Sequence, residues 1–229
     1  MITIVHGNDI VSSRNFYLEF RTKLKDFQIL DGKNFDYNTL IQVFEGNSLF
    51  TNEKNIFVEK FFSNNKSNSE EFKKITDYLN KNKSLNILFW EEKELTKTQV
   101  NSIKQADIKQ FNYPQILFIF LDSLKPNNVK SILLFHQLKE TMEEELIFFM
   151  IIRQFRLMLS VLEEGKDKID EHKRLAPWQI GKLKSQAALF GKNKLLSLYK
   201  GLYKNDYETK YGLTPFNLSA NIDFFLSDL

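Results

Sequence analysis

The sequence predicts an α/β domain built on a parallel sheet of about five strands, followed by an all-helical domain. Three observations carry this. Up to residue 111, short β-type runs alternate with apolar residues at helical spacing, as in a parallel sheet whose strands are joined by helices. Beyond Tyr113-Pro114 the strand signals stop, and each remaining segment carries apolar residues at three- and four-residue spacing. A hydrophobic content of 42% over 229 residues is enough for real cores.

The elements follow in order. "ITIV" (Ile2 to Val5) reads as the first strand, and Phe16, Phe20 and Leu24 line one face of the helix after it. "FQIL" is the second strand, closed by the turn pair Asp31-Gly32. Asp36 is placed to cap a short helix that buries Tyr37, Leu40, Ile41 and Phe44. "NIFVEKFF" makes a third strand, and Ser67 and Glu70 stand at capping-box spacing before a helix with Phe72, Ile75 and Leu79. "LNILFW" is almost wholly apolar and therefore central. Thr96 and Gln99 repeat the capping-box spacing at the head of a helix running to about Ala106, and "IKQF" is the fifth strand.

The helical half opens with "PQILFIFLDSL" and continues through five longer segments that end near Leu229. Pro126 suits a helix first turn, and Gly165, Gly191 and Gly212 suit helix ends. The expected divisions are an α/β domain over 1–112, a short helical connection over 113–126 and a helical domain over 127–229.

Composition narrows the function. Without cysteine there is no thiolate nucleophile or cysteine-ligated zinc, and the three histidines, His6, His136 and His172, are far apart, so no metal site is expected. Basic residues exceed acidic ones by three and alternate with them, which describes a mixed solvated surface with a weak lean toward nucleic acid. The N-terminus lacks the features of an export signal. The most apolar segment, "LIFFMIIRQFRLMLSVL", is interrupted by Arg153 and Arg156, and a membrane span needs roughly 20 apolar residues. A cytoplasmic protein with no membrane partner is the expectation.

A strand, loop and helix at the start of an α/β domain is where a phosphate loop belongs, but "HGNDIVSSRNF" does not make one. A phosphate cradle needs G-x-x-x-x-G-K-[ST], whose glycines bring backbone N–H groups to the phosphates and whose lysine meets their charge. Gly7 is followed instead by Asn8 and Asp9, and Asp9 would repel phosphate. Glu91 and Glu92, after the fourth strand, stand where a magnesium-binding or water-polarising carboxylate would sit; lacking a cradle, they read as a solvated loop. No catalytic set is legible, and no cofactor is expected. His6 reads as a packed structural residue. Arg153 and Arg156 fit either contacts to DNA phosphates or a partner carboxylate, or the polar edge of a buried helix. Tyr199, Tyr203 and Tyr207, four residues apart, suit stacking on bases but read first as core.

The order of motifs resembles the delta subunit of the bacterial DNA polymerase III clamp loader. The first half carries the resemblance in its G-x-D turn, "LDG" and "SLF" before the third strand. The second half carries it in "FFMIIRQFRLMLSV", "PWQIGKLKSQAALFGKNKL" and "NDYETKYG", whose D-x-x-x-K-x-G pattern falls on Asp206, Lys210 and Gly212. The resemblance implies a P-loop-NTPase-like sheet without a working phosphate loop, joined to a helical collar. It also implies a subunit that binds and opens the sliding clamp for loading onto primed DNA and does not hydrolyse ATP itself. Its partners would be the clamp, the ATP-binding loader subunits of a hetero-oligomer and, through the complex, primed DNA at the nucleoid. Catalysis would belong to the polymerase holoenzyme, a DNA-directed DNA polymerase. By pattern alone Leu49 and Phe50 read as core; the resemblance makes them, with Ser48, the wedge that enters the clamp. It places Arg153, Arg156, Asp206 and Lys210 in the collar, near DNA. The helical lid usual in the family is replaced by the 113–126 connection, which implies a shortened form. Two other readings stay open: a degenerate nucleotide-binding enzyme acting through Glu91 and Glu92, and a helical scaffold with no clamp contact.

Overall fold

Strand β1 (Ile2–Gly7) is buried throughout, and its side chains divide between two cores with the period of two that a strand imposes. In this computed structural model, which describes residues 1–24, 26–45, 55–82, 85–163 and 169–229, it is followed by α1 (Ile10–Thr22), β2 (Phe27–Asp31), α2 (Tyr37–Glu45), β3 (Asn55–Glu59), α3 (Phe61–Asn64), α4 (Glu70–Lys81), β4 (Asn86–Trp90), α5 (Lys97–Val100) and β5 (Asp107–Phe111). The five strands form one parallel sheet in the order β2-β3-β4-β1-β5. On one face Val5, Phe57, Leu88 and Trp90 pack against Tyr17 of α1. On the other Ile2, Ile4, Ile56, Val58, Ile87 and Phe89 pack against Leu40 of α2 and Phe72, Ile75 and Leu79 of α4. Strand β4 lies third of five, where its apolar sequence needs cover on both faces.

Local signals explain several boundaries. Asp36 accepts the Thr39 amide at 2.7 Å, and Thr96 and Gln99 complete a capping box. The helix after Thr96 is one turn long, because α5 ends at Val100 and turns carry the chain to β5. Ahead of α4 the cap is Ser69, not Ser67: its hydroxyl accepts the Phe72 amide at 3.2 Å. The third strand stops at Glu59. Lys60 adopts a left-handed conformation (φ 62°), which turns Phe61 and Phe62 out of the strand and into α3, where both are buried. Gly32 makes this possible, since a Cβ there would lie 2.4 Å from Phe61 Cα.

The chain divides into two compact units, Met1–Tyr113 and Pro114–Leu229. The second contains α6 (Gln115–Ser123), α7 (Lys130–Lys139), α8 (Glu144–Leu162), α9 (Asp170–Lys173), α10 (Pro177–Phe190), α11 (Lys192–Lys210) and α12 (Leu218–Ser227). Helix α8 is the axis: its Ile147, Ile151, Phe155 and Met158 are fully buried, and α10 and α11 pack along it. The segment expected as a connection supplies α6, which belongs to this unit. Leu117 and Phe120 are buried, and the buried Gln186 side chain donates to the Leu121 and Leu124 carbonyls at 2.8 Å, satisfying the end of the helix. Pro126 lies in a turn beside the positive-φ Asn127, and α7 begins only at Lys130.

Candidate functional site

The turn joining β1 to α1 is the corner where a parallel sheet of this kind would receive phosphate, and here its own residues fill it. Gly7 is pressed so closely on the end of β5 that a Cβ would lie 1.8 Å from the Phe111 carbonyl oxygen. The Asp9 amide donates to that same oxygen at 3.0 Å, and the Gly7 amide to the Lys93 carbonyl at 3.4 Å. Asn8 is fastened twice: its amide donates to Asn112 Oδ1 at 3.3 Å, and its Oδ1 accepts the Tyr113 amide at 2.9 Å. Asp9 then caps α1, accepting the Ser12 amide at 3.0 Å and the Ser12 hydroxyl at 2.7 Å. An anion at this helix start would meet a carboxylate already seated on the positive end of the helix.

Glu91 departs from the solvated loop expected of it. It is fully buried, and its carboxylate accepts the Phe62 amide at 2.7 Å, the Ser63 amide at 3.2 Å and the Ser63 hydroxyl, capping α3. Burial pushes its pKa above the ordinary glutamate value, against the lowering effect of those hydrogen bonds. A glutamate facing inward in this way is not presented to a metal or a water. Glu92 does face solvent, paired with Lys60 at 2.7 Å. His6 is buried: its Nδ1 accepts the Leu95 amide at 3.2 Å, which puts the proton on Nε2, and burial lowers its pKa while Glu94 opposes the shift. Among the described residues no group of three His, Asp or Glu could hold a metal ion.

Ser48, Leu49 and Phe50 lie outside the described residues, between the end of α2 and Asn55 at the start of β3. The helical candidates are all placed. Arg153 and Arg156, one turn apart on α8, converge on Glu171 of α9 at 3.0 and 2.6 Å. Burial would raise the Glu171 pKa, but the hydrogen bonds and charges of Arg156 and Arg153 outweigh it and hold the carboxylate below its usual range. Arg156 Nε is buried and finds no hydrogen-bond partner among the described residues. Asp206 and Lys210 form an exposed i,i+4 pair at 2.8 Å on α11. Gly212 (φ 63°) ends that helix, with the Leu213 amide bonded to the Glu208 carbonyl at 2.8 Å and the Gly212 amide to Thr209 at 3.3 Å. The D-x-x-x-K-x-G pattern is thus a Schellman helix end preceded by a surface ion pair.

The tyrosine stripe is a correction. Tyr203 is 71% exposed and Tyr207 47%, with Tyr199 half-buried. Helix α11 buries Leu195, Leu198 and Leu202 instead. Tyr199 and Tyr203 each lie one residue beyond a buried leucine, about 100° around the helix. Sequence reasoning also missed a groove of about 400 Å³ between α6, α8 and α10, with Phe118 and the 69% exposed Trp178 at its edges and Arg153 in its wall. Its one sequence signal is Trp178 directly after Pro177, in the outward-facing first turn of α10.

No helix among the described residues is long and apolar enough to cross a membrane. Comparison with known families matches residues 115–226 to the DNA polymerase III delta subunit, C-terminal domain. No curated protein matches the chain. Among solved structures, the DNA clamp loader delta protein of Bacillus subtilis aligns over 98% of this chain and 94% of its own, at 13% identity and a TM-score of 0.47. A DNA polymerase III gamma subunit-related protein from Thermotoga maritima aligns over 99% and 93%, at 11% identity and a TM-score of 0.35.

Proposed function

With residues 115–226 placing this chain among the delta-type clamp-loader subunits of DNA polymerase III, we propose that it binds and opens a sliding clamp for loading onto primed DNA without hydrolysing ATP. The observation that carries the ATP-independent part is the filled β1–α1 corner, where Asp9 takes the place of a phosphate and the Gly7, Asn8 and Asp9 amides are already bonded. Opening a ring needs no hydrolysis by the opener. A ligand that prefers the open clamp shifts the clamp's own equilibrium by its differential affinity.

Ser48, Leu49 and Phe50 are the proposed clamp contact, by the resemblance of "SLF" to the delta family. A compact Leu–Phe pair is the kind of apolar anchor that dominates interface energy. The helical unit is the proposed collar, joining ATP-binding loader subunits in a hetero-oligomer at the nucleoid. Its exposed Phe118, Leu133, Phe149 and Trp178 give it more apolar surface than a solitary bundle needs. Exposed Tyr203 and Tyr207, with Lys204 and Lys210 on the same helix, suit contact with primed DNA. The unit boundary at Tyr113 and Pro114, with α6 on its helical side, supports a shortened form without a lid between the two units.

A nucleotide-binding enzyme is the competing reading, and equilibrium titration with ATP and magnesium separates the two. The expected result is no saturable binding up to millimolar ATP and no turnover by the isolated protein. Micromolar binding, or hydrolysis lost on changing Glu91 or Glu92, would favour the enzyme.

A further inference from the structure

The groove between α6, α8 and α10 is lined by apolar side chains with a few charged groups among them. Its walls are apolar, chiefly Phe118, Leu121, Met150, Leu157 and Trp178. The volume suits one bulky side chain with its neighbours, and few polar groups are needed to fix such a guest. Of the charged groups lining it, Lys182 is engaged with Asp122 at 2.5 Å, so the pair cancels. That leaves Arg153, whose guanidinium is held by Glu171 together with that of Arg156. Among the described residues the two guanidiniums share the Glu171 carboxylate, Arg153 through its Nε at 3.0 Å and Arg156 through one Nη at 2.6 Å. Arginine presents five N–H donors in a fork that suits carboxylates, and this fork has donors to spare.

We propose that the groove receives an acidic segment of a partner protein, which seats one bulky apolar side chain between Phe118 and Trp178 and sets a carboxylate on Arg153 in place of Glu171. Glu171 is then an internal competitor for Arg153, and a partner's carboxylate takes its place. Nucleic acid fits less well, since the groove is lined by one guanidinium, Arg153, and a lysine already paired with Asp122, whereas a phosphodiester chain is held by a run of cations. The inference rests on the collar reading only for which protein is the partner. The groove's own chemistry is measured without any loader subunit.

The test uses the full chain and two blocked pentapeptides, one with a central phenylalanine flanked by glutamates and the other with glutamines in their place. Binding is read from Trp178 emission, because the other tryptophan, Trp90, is buried in the α/β unit and gives a constant background. The glutamate peptide should bind the wild-type chain roughly tenfold more tightly than the glutamine peptide. Glu171→Gln should tighten binding of the glutamate peptide by about another tenfold, and Arg153→Met should erase the difference between the peptides. Equal binding of the two peptides to the wild-type chain overturns the proposal, and this arm needs no variant to fold. So does a Glu171→Gln chain that keeps its circular dichroism and melting midpoint but binds the glutamate peptide no better. A single-stranded oligonucleotide that displaces the glutamate peptide at equal concentration would assign the groove to nucleic acid and overturn it as well.

Discussion

Changing Leu49 and Phe50 together to alanine should weaken clamp binding about a thousandfold and leave the melting midpoint of the chain where it was. The size follows from interface energetics: an apolar anchor side chain contributes on the order of 2 kcal/mol or more, and two of them about 4 kcal/mol with allowance for non-additivity. The unchanged midpoint follows from the wedge reading, which puts the pair outside the core, where side chains contribute little to folding. Core residues would give the opposite pattern, because truncating a buried Leu or Phe costs about 2–5 kcal/mol of stability. Binding and melting measured on the same double variant decide between the wedge and the core.

The second large effect is expected at Glu91. Replacing it with alanine removes the acceptor for the Phe62 and Ser63 amides and the Ser63 hydroxyl at the start of α3. Each buried donor left without a partner costs about 1–3 kcal/mol, so the loss should reach roughly 3 kcal/mol and lower the melting midpoint of the α/β unit by on the order of 10 °C. Glu91 also sets a pH dependence. Its folded pKa is raised, so between the ordinary glutamate value of 4.5 and that raised value the folded state holds more protons than the unfolded one. Its contribution therefore falls as pH rises through that window, and Glu91→Gln should flatten this part of the stability profile. Trp90 emission follows unfolding of the unit. An alanine variant that melts with the wild type would mean that the carboxylate is not the cap, and would reopen a catalytic role for it.

The two faces of the sheet were legible because strand side chains alternate. Ile2 and Ile4 against Val5, and Ile87 and Phe89 against Leu88, announce a sheet covered on both sides. Helix starts were legible where one residue alone had the right side chain at the right offset, as at Asp36 and Thr96. In "SNSEEF" two serines compete, and the one that reaches the Phe72 amide is settled by packing of the helix against the sheet. The end of β3 was illegible for a different reason. "NIFVEKFF" is uniformly strand-like, and what breaks it at Lys60 is remote in sequence: the space left by Gly32 and the carboxylate of Glu91.

The candidate sites divide in the same way. The absent phosphate cradle is a local fact of sequence, whereas Glu91's inward turn depends on where α3 begins. Glu171 sits in a run of alternating charges, "DKIDEHKR", that reads as a solvated face. Its partners are 18 and 15 residues earlier and come within reach only when α9 folds back on α8. The tyrosines of α11 misled because a four-residue spacing marks a stripe without saying which side of the helix is inside. Leu198 and Leu202, one position before Tyr199 and Tyr203, occupy that side.

Clamp release from DNA tests the central claim most directly. A sliding clamp from the same organism, labelled and closed on a nicked circular plasmid, is incubated with this chain alone in the absence of nucleotide, and clamp remaining on the DNA is followed by gel filtration. The proposed function predicts release at a rate that rises with the concentration of the chain, is indifferent to added ATP and is lost in the Leu49→Ala/Phe50→Ala variant. A clamp that stays on the plasmid at every concentration of the chain, or leaves it only when ATP is supplied, would contradict an ATP-independent clamp opener.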